Sequence, residues 1–100
     1  MRLIARGATL EYATTNSAAA TALGHGLTVI QEASWTTMSE AAKAFSTATS
    51  VSGDRIRYER LGGDYRLIVA FDFERQITFA KFIGTHAEYD KVDAQTVAQF

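Results

Sequence analysis

The second half of the chain alternates apolar and polar positions with a period of two. Arg55 to Arg60, Tyr65 to Phe73 and Gln76 to Ile83 are rich in aromatic and β-branched residues, and Gly62-Gly63 and Glu74-Arg75 separate them. Such side chains suit a pleated surface, and the separators leave room for little more than a turn, so the pattern predicts a three-stranded antiparallel meander. Gly62-Gly63 fits a two-residue primed turn, because both central positions can take positive φ. That turn sets Glu59 opposite Arg66 and Arg57 opposite Ile68. A two-residue turn at Glu74-Arg75 then sets Ile68 opposite Lys81 and Arg66 opposite Ile83. Strand residues alternate sides, so one face is expected to carry Ile56, Tyr58, Leu67, Val69, Phe71 and Phe82 as the core. The other face gathers Arg55, Arg57, Glu59, Arg66, Ile68, Phe79, Lys81 and Ile83. A slip that sent Lys81 to the core side would bury an unpaired ammonium, which disfavours it.

The first half has a different period. Arg2 to Ala5 reads as a short strand, closed by Gly7. From Ala8 to Ala33 the chain is alanine-rich with apolar positions at helical spacing, among them Leu10, Ala13, Leu23, Leu27 and Ile30. This predicts two helices, with Asn16 or Ser17 able to cap the second and Gly24 and Gly26 weakening its middle. Ser39 to Phe45 predicts a further short helix that turns Ala41, Ala42 and Phe45 inward. Ser46 to Gly53, small and polar, reads as a connection. The whole is an α+β architecture: N-terminal helices packed on one face of a small antiparallel sheet, with Arg2 to Ala5 as an added strand.

Composition narrows the function classes. One hundred residues with 47% hydrophobic content close one modest core, so residues 1–100 form a single domain in this reading. No cysteine is present, which removes disulfides and thiolate-rich zinc sites. Two histidines reach no metal-ligand spacing, and no P-loop or dinucleotide fingerprint occurs, so neither metal nor cofactor is expected. No apolar run approaches a membrane span, and Met1 to Leu10 lacks the apolar core of a secretory signal, so the expected location is cytoplasmic. The formal net charge is −1, so any surface that attracts anions must be local.

Arg55, Arg57, Arg66 and Lys81 share the open face and can form a concave site for phosphates, arginine being the better ligand because its planar fork donates two parallel hydrogen bonds. After the last strand comes Gly84-Thr85-His86-Ala87-Glu88-Tyr89-Asp90-Lys91, which leaves the sheet beside Arg66 and Glu59, so His86 and Tyr89 can reach the same face. Scission of RNA within the chain needs a deprotonated ribose 2′-hydroxyl, a protonated leaving 5′-oxygen and neutralised charge at phosphorus, and it needs no metal. Histidine suits the proton transfers near neutral pH, and positioned cations suit the phosphorus. Tyr89 can stack on a base or position the 2′-hydroxyl. Taken alone, alternating charges on a strand also describe a solvated sheet face, a histidine after a glycine a cap or loop residue, and Tyr89-Asp90 plain packing. Trp35 with Phe45 reads as core anchoring, and His25, between two glycines, as structural or exposed.

Gly84 to Lys91, with Val92-Asp93-Ala94 after it, resembles the C-terminal signature of HigB-family toxins. Gly62 to Val69 resembles that family's glycine turn and tyrosine-arginine strand, and Trp35 to Phe45 its tryptophan-led segment. The likeness runs from Arg2 to about Val97 and is sharp from Tyr65 onward. It implies a RelE-like fold and a type II toxin of bacterial cells, an endoribonuclease that cleaves mRNA, commonly on the translating ribosome. It also implies neutralisation by a HigA-type helix-turn-helix antitoxin, with which the toxin represses its own operon. Matching positions imply Arg66 as phosphate ligand, His86 for proton transfer and Tyr89 beside them, with Lys81 as a further cation; Arg55, Arg57 and Lys91, read from the residues themselves, join Lys81 as candidate RNA-binding cations. One departure stands out. Where many relatives carry asparagine this chain has Glu59, which opposes a phosphate unless Arg66 or Arg57 pairs with it, or which serves as general base. The rival reading is a non-catalytic module of the same fold that poisons another enzyme or only pairs with an antitoxin.

Overall fold

The computed structural model describes residues 1–4, 28–44, 48–60 and 65–97. Among them five strands form one mixed sheet in the order β1-β5-β4-β3-β2. These are β1 (Arg2–Ile4), β2 (Ala48–Ser50), β3 (Arg55–Arg60), β4 (Tyr65–Asp72) and β5 (Ile77–Thr85). Two short helices, α1 (Met38–Lys43) and α2 (His86–Tyr89), complete the described elements, together with a helical stretch at 28–32. The meander expected from the alternating pattern is present as β3, β4 and β5, all antiparallel. β1 joins it in parallel beside β5, which makes the sheet mixed rather than purely antiparallel.

Two expectations change. Ser46 to Gly53 is not merely a connection, because Ala48–Ser50 pairs with β3 as an edge strand. Its residues have no strand-like alternation of their own; the ladder to β3 makes the strand. The predicted helices between Ala8 and Ala33 fall outside the described residues except for 28–32, as does the Gly62-Gly63 turn. Within the described part, Ile30 and Ala41 are buried in one cluster with Ile56, Tyr58, Leu67 and Val69, and Trp35 and Met38 pack against it. Thr37 starts α1 as its N-cap, its hydroxyl accepting from the Glu40 amide at 3.2 Å.

The first hairpin has the expected register, with Glu59 opposite Arg66 and Arg57 opposite Ile68. The second begins as expected, with Asp72 opposite Ile77 and Ala70 opposite Phe79. The Gln76 amide donates to the Phe73 carbonyl at 3.3 Å, which centres the turn on Glu74-Arg75. Gln76 adopts φ 55, and its side-chain amide donates to the carbonyls of Trp35 at 2.7 Å and Phe73 at 2.9 Å. Those bonds hold a left-handed conformation in a residue without glycine's freedom.

Beyond Val69 the register shifts by one. Val69 pairs with Ala80 but Ile68 pairs with Phe82, so Lys81 is the extra residue of a β-bulge. The shift corrects two face assignments. Ile83, expected on the open face, lies in the main core, while Phe82, expected in the core, shares the opposite face with Ile68, where both are buried rather than open to solvent. Arg66 accordingly faces Gly84 rather than Ile83. Lys81 stays off the core side, half-buried, with its ammonium 5.2 Å from the centre of the Phe79 ring.

Candidate functional site

The chain leaves β5 through a turn of helix that its own sequence specifies. Thr85 caps α2: its hydroxyl accepts from the Glu88 amide at 3.2 Å, while the Glu88 carboxylate accepts from the Thr85 amide at 3.0 Å. This reciprocal pair satisfies donors that a helix start leaves open, and its signature, Thr-x-x-Glu, is readable in Thr85 to Glu88. The cap directs Tyr89 back over the sheet, where its ring meets Phe82 edge-on at 6.1 Å between centroids. Phe82 has room because its neighbour two residues on is Gly84; a Cβ there would lie 2.7 Å from Phe82 Cζ.

Two arginines converge on Tyr89. The Arg57 guanidinium lies 5.4 Å and that of Arg66 5.9 Å from the ring centroid, within cation–π range. Arg57 also donates to the Tyr89 hydroxyl at 3.3 Å and to Thr49 Oγ1 of β2 at 3.3 Å. Glu59 stands between them: its Oε1 is 3.2 Å from Arg57 Nη2 and 3.6 Å from Arg66 Nη2. The cause is the strand geometry. Arg57 and Glu59 are two apart on β3 and share a face, and Arg66 is Glu59's cross-strand partner. Arg66 is 7% exposed, so its charge is largely withdrawn from water and needs an anion beside it. Among the described residues, these two guanidinium cations and one carboxylate sum to one net positive charge.

The other expected residues lie around this cluster. His86, at the start of α2, is exposed and pairs with Asp90 one turn on, Nδ1 to Oδ2 being 3.3 Å. Lys91 is exposed just past the end of the helix. Arg55 turns to the C-terminal segment, donating to the carbonyls of Ala94 at 3.2 Å and Val97 at 2.7 Å. Arg55 and Lys81 line an open groove of about 580 Å³ with Ala70, Phe79, Asp54 and Asp72. Lys81 lies three residues before Gly84, the partner of Arg66, a separation of roughly 10 Å along the strand. The structure therefore joins Arg57, Arg66 and Tyr89 in one cluster, with His86 and Lys91 at the ends of the short helix and Arg55 and Lys81 along the groove.

Sequence reasoning missed three contributors. Thr49 was out of view because β2 carries no strand pattern, Phe82 because the bulge moved it across the sheet, and Gly84 because its need for space appears only once Phe82 is placed. Among the described residues, no three His, Asp or Glu side chains gather as a metal-ion site, and no helix is long and apolar enough to cross a membrane.

Comparison with curated proteins returns no match. A family model does match, over residues 19–92, and its description is the RelE-like toxic component of a toxin-antitoxin system. The match covers the described strands β2 to β5, the helix α2 and every residue of the arginine–tyrosine cluster. By that match the chain belongs to the HigB toxin family and is the toxic component of a toxin–antitoxin pair.

Proposed function

We propose that the chain is an endoribonuclease that cleaves mRNA in the cytoplasm without a metal and is held inactive by a HigA-type helix-turn-helix antitoxin. The observation that carries this reading is the convergence of the Arg57 and Arg66 guanidinium groups on the Tyr89 ring, with exposed His86 one helical turn before it. In the reaction the ribose 2′-oxygen loses its proton and bonds to the adjacent phosphorus. The bond from phosphorus to the 5′-oxygen breaks, and that oxygen takes up a proton, leaving a 2′,3′-cyclic phosphate and a 5′-hydroxyl. Arg57 and Arg66 neutralise the charge that builds on the non-bridging oxygens, a contribution that positioned cations make at low reorganisation cost. His86 moves a proton in this exchange, and Tyr89 stacks on a base or holds the 2′-hydroxyl. Arg55, Lys81 and Lys91 serve flanking phosphates rather than the scissile one.

Net charge −1 supports recruitment within a larger ribosomal complex over a grip on free RNA by long-range attraction. Cleavage of free mRNA at equal rates with and without ribosomes would overturn that part. The test of the whole is induced expression followed by mapping of RNA 5′ ends, with His86→Ala and Arg66→Ala alongside. New 5′ ends are expected with the wild type and their loss with both variants, the histidine change costing about 10²–10⁴-fold. Antitoxin binding should survive both changes. A second reading, a non-catalytic module that poisons another enzyme, draws on Glu59 already occupying the arginine pair. Growth arrest without new 5′ ends would favour it.

A further inference from the structure

Glu59 has no place in the reaction as written, yet it touches both arginines that do. Its carboxylate is 29% exposed, held on the strand pair that also fixes Arg57 and Arg66. A side chain anchored in this way stays beside any anion that enters, so the clamp presents its reduced charge to the ligand. Arg57 Nε is buried with no hydrogen-bond partner among the described residues, so Glu59 does not take up all of this guanidinium's donors.

We propose that Glu59 is a specificity-determining residue that biases the clamp toward internal phosphodiesters, which carry one negative charge, and against terminal phosphates, which carry two. This rests on the reading of the cluster as a phosphate clamp. Attraction to the clamp grows in proportion to the ligand's charge, whereas the cost of withdrawing the ligand from water grows with the square of that charge. Arg57 and Arg66 without Glu59 would offset a dianion; with Glu59 their remaining charge matches a monoanion. The carboxylate thus keeps free nucleotides and RNA ends from competing with the interior of a strand.

The test measures binding rather than cleavage. Wild type and Glu59→Gln are titrated by calorimetry at about pH 8, where a phosphomonoester is doubly charged. One probe is a 2′-deoxy dinucleoside monophosphate, which has a single phosphodiester and cannot be cut. The other is a nucleoside 5′-monophosphate. Glu59→Gln should tighten the diester roughly tenfold and the monoester roughly a hundredfold, because the removed repulsion scales with ligand charge. The wild type should bind the diester at least as tightly as the monoester. Equal tightening of the two probes, or none, overturns the proposal, as does a wild type that prefers the monoester, a measurement that needs no variant to fold. Loss of cleavage in Glu59→Gln with neither affinity changed would make the residue a proton acceptor and also overturns it. A wild type that binds as stated but cuts no RNA leaves this inference standing and defeats the nuclease reading.

Discussion

Replacing Gly84 with alanine adds one methyl group where the structure has no space for it. The new Cβ would stand 2.7 Å from Phe82 Cζ, 3.2 Å from Cε1 and 3.3 Å from the Glu88 Cβ. Carbon atoms in ordinary contact sit about 3.5–4.0 Å apart, so the ring would have to recede by roughly 1 Å. A flexible side chain at the surface would yield readily. Phe82 is 2% exposed, and its ring meets edge-on that of Tyr89, which lies 5.4 and 5.9 Å from two guanidinium groups, so displacement is passed into the cluster. Overpacking of this kind costs about 1–3 kcal/mol. Alanine also reduces the freedom of the unfolded chain, which offsets about 0.4–1 kcal/mol, because Gly84 does not hold a positive φ. The expected net loss is about 1–2 kcal/mol, seen as a lower urea midpoint at unchanged slope.

A double-mutant cycle with Phe82→Leu isolates the cause. Leucine withdraws the far end of the ring and alone leaves a void costing roughly 1–2 kcal/mol. In Gly84→Ala/Phe82→Leu the added methyl enters that void, so the two losses should fall short of additivity by about 1 kcal/mol or more. Additive losses within about 0.3–0.5 kcal/mol would refute the contact as the reason for glycine, and a neutral or stabilising Gly84→Ala would refute the packing argument itself.

His86→Ala should leave the urea midpoint nearly unchanged, within about 0.5 kcal/mol, because the imidazole is 58% exposed, while abolishing the RNA 5′ ends produced on expression. Thr85→Ala removes the α2 cap and should cost about 0.5–2 kcal/mol by chemical denaturation, with the Arg57–Tyr89 contact loosened as the helix frays. Burial pushes the Tyr58 phenol above the usual tyrosine range, so the folded state keeps a proton that the unfolded chain releases near pH ~10. The stability difference between wild type and Tyr58→Phe should be flat below that pH, then fall by about 1.4 kcal/mol per pH unit above it; a flat difference throughout would show that the phenol is not withheld from water.

The first hairpin could be read from the chain because its register has few solutions: two strands of clear alternation around Gly62-Gly63 place Glu59 against Arg66. That pairing is also the centre of the arginine–tyrosine cluster, so the cluster's main contact was legible in the sequence. Tyr89 was legible as a neighbour of the two arginines, though its placement depends on the Thr85–Glu88 cap. β2 was not legible, since Ala48-Thr49-Ser50 gains strand structure from its neighbour rather than from its own side chains. Arg55 shows a different limit. The pattern gives its face correctly, but its attachment to the Ala94 and Val97 carbonyls joins residues far apart in the chain, which no local period encodes.

The bulge at Lys81 shows why the second hairpin was half right. Two demands compete on β5: an ammonium must stay off the core side, and the strand must still deliver a large aliphatic side chain to the core beyond it. Strict alternation with Lys81 outward would send Phe82 to the main core and Ile83 to the opposite face. Inserting one residue lets Lys81 and Phe82 share the opposite face and sends Ile83 inward, where it is 1% exposed. The energetic argument about lysine was therefore sound, and the register drawn from it was not, because alternation has a third solution besides the two registers. That solution also builds the site. With Phe82 on that face, Tyr89 gains an aromatic floor and the two arginines a ring to rest on. With Gly84 two residues further, the space opposite Arg66 is kept for that floor rather than for a side chain of its own.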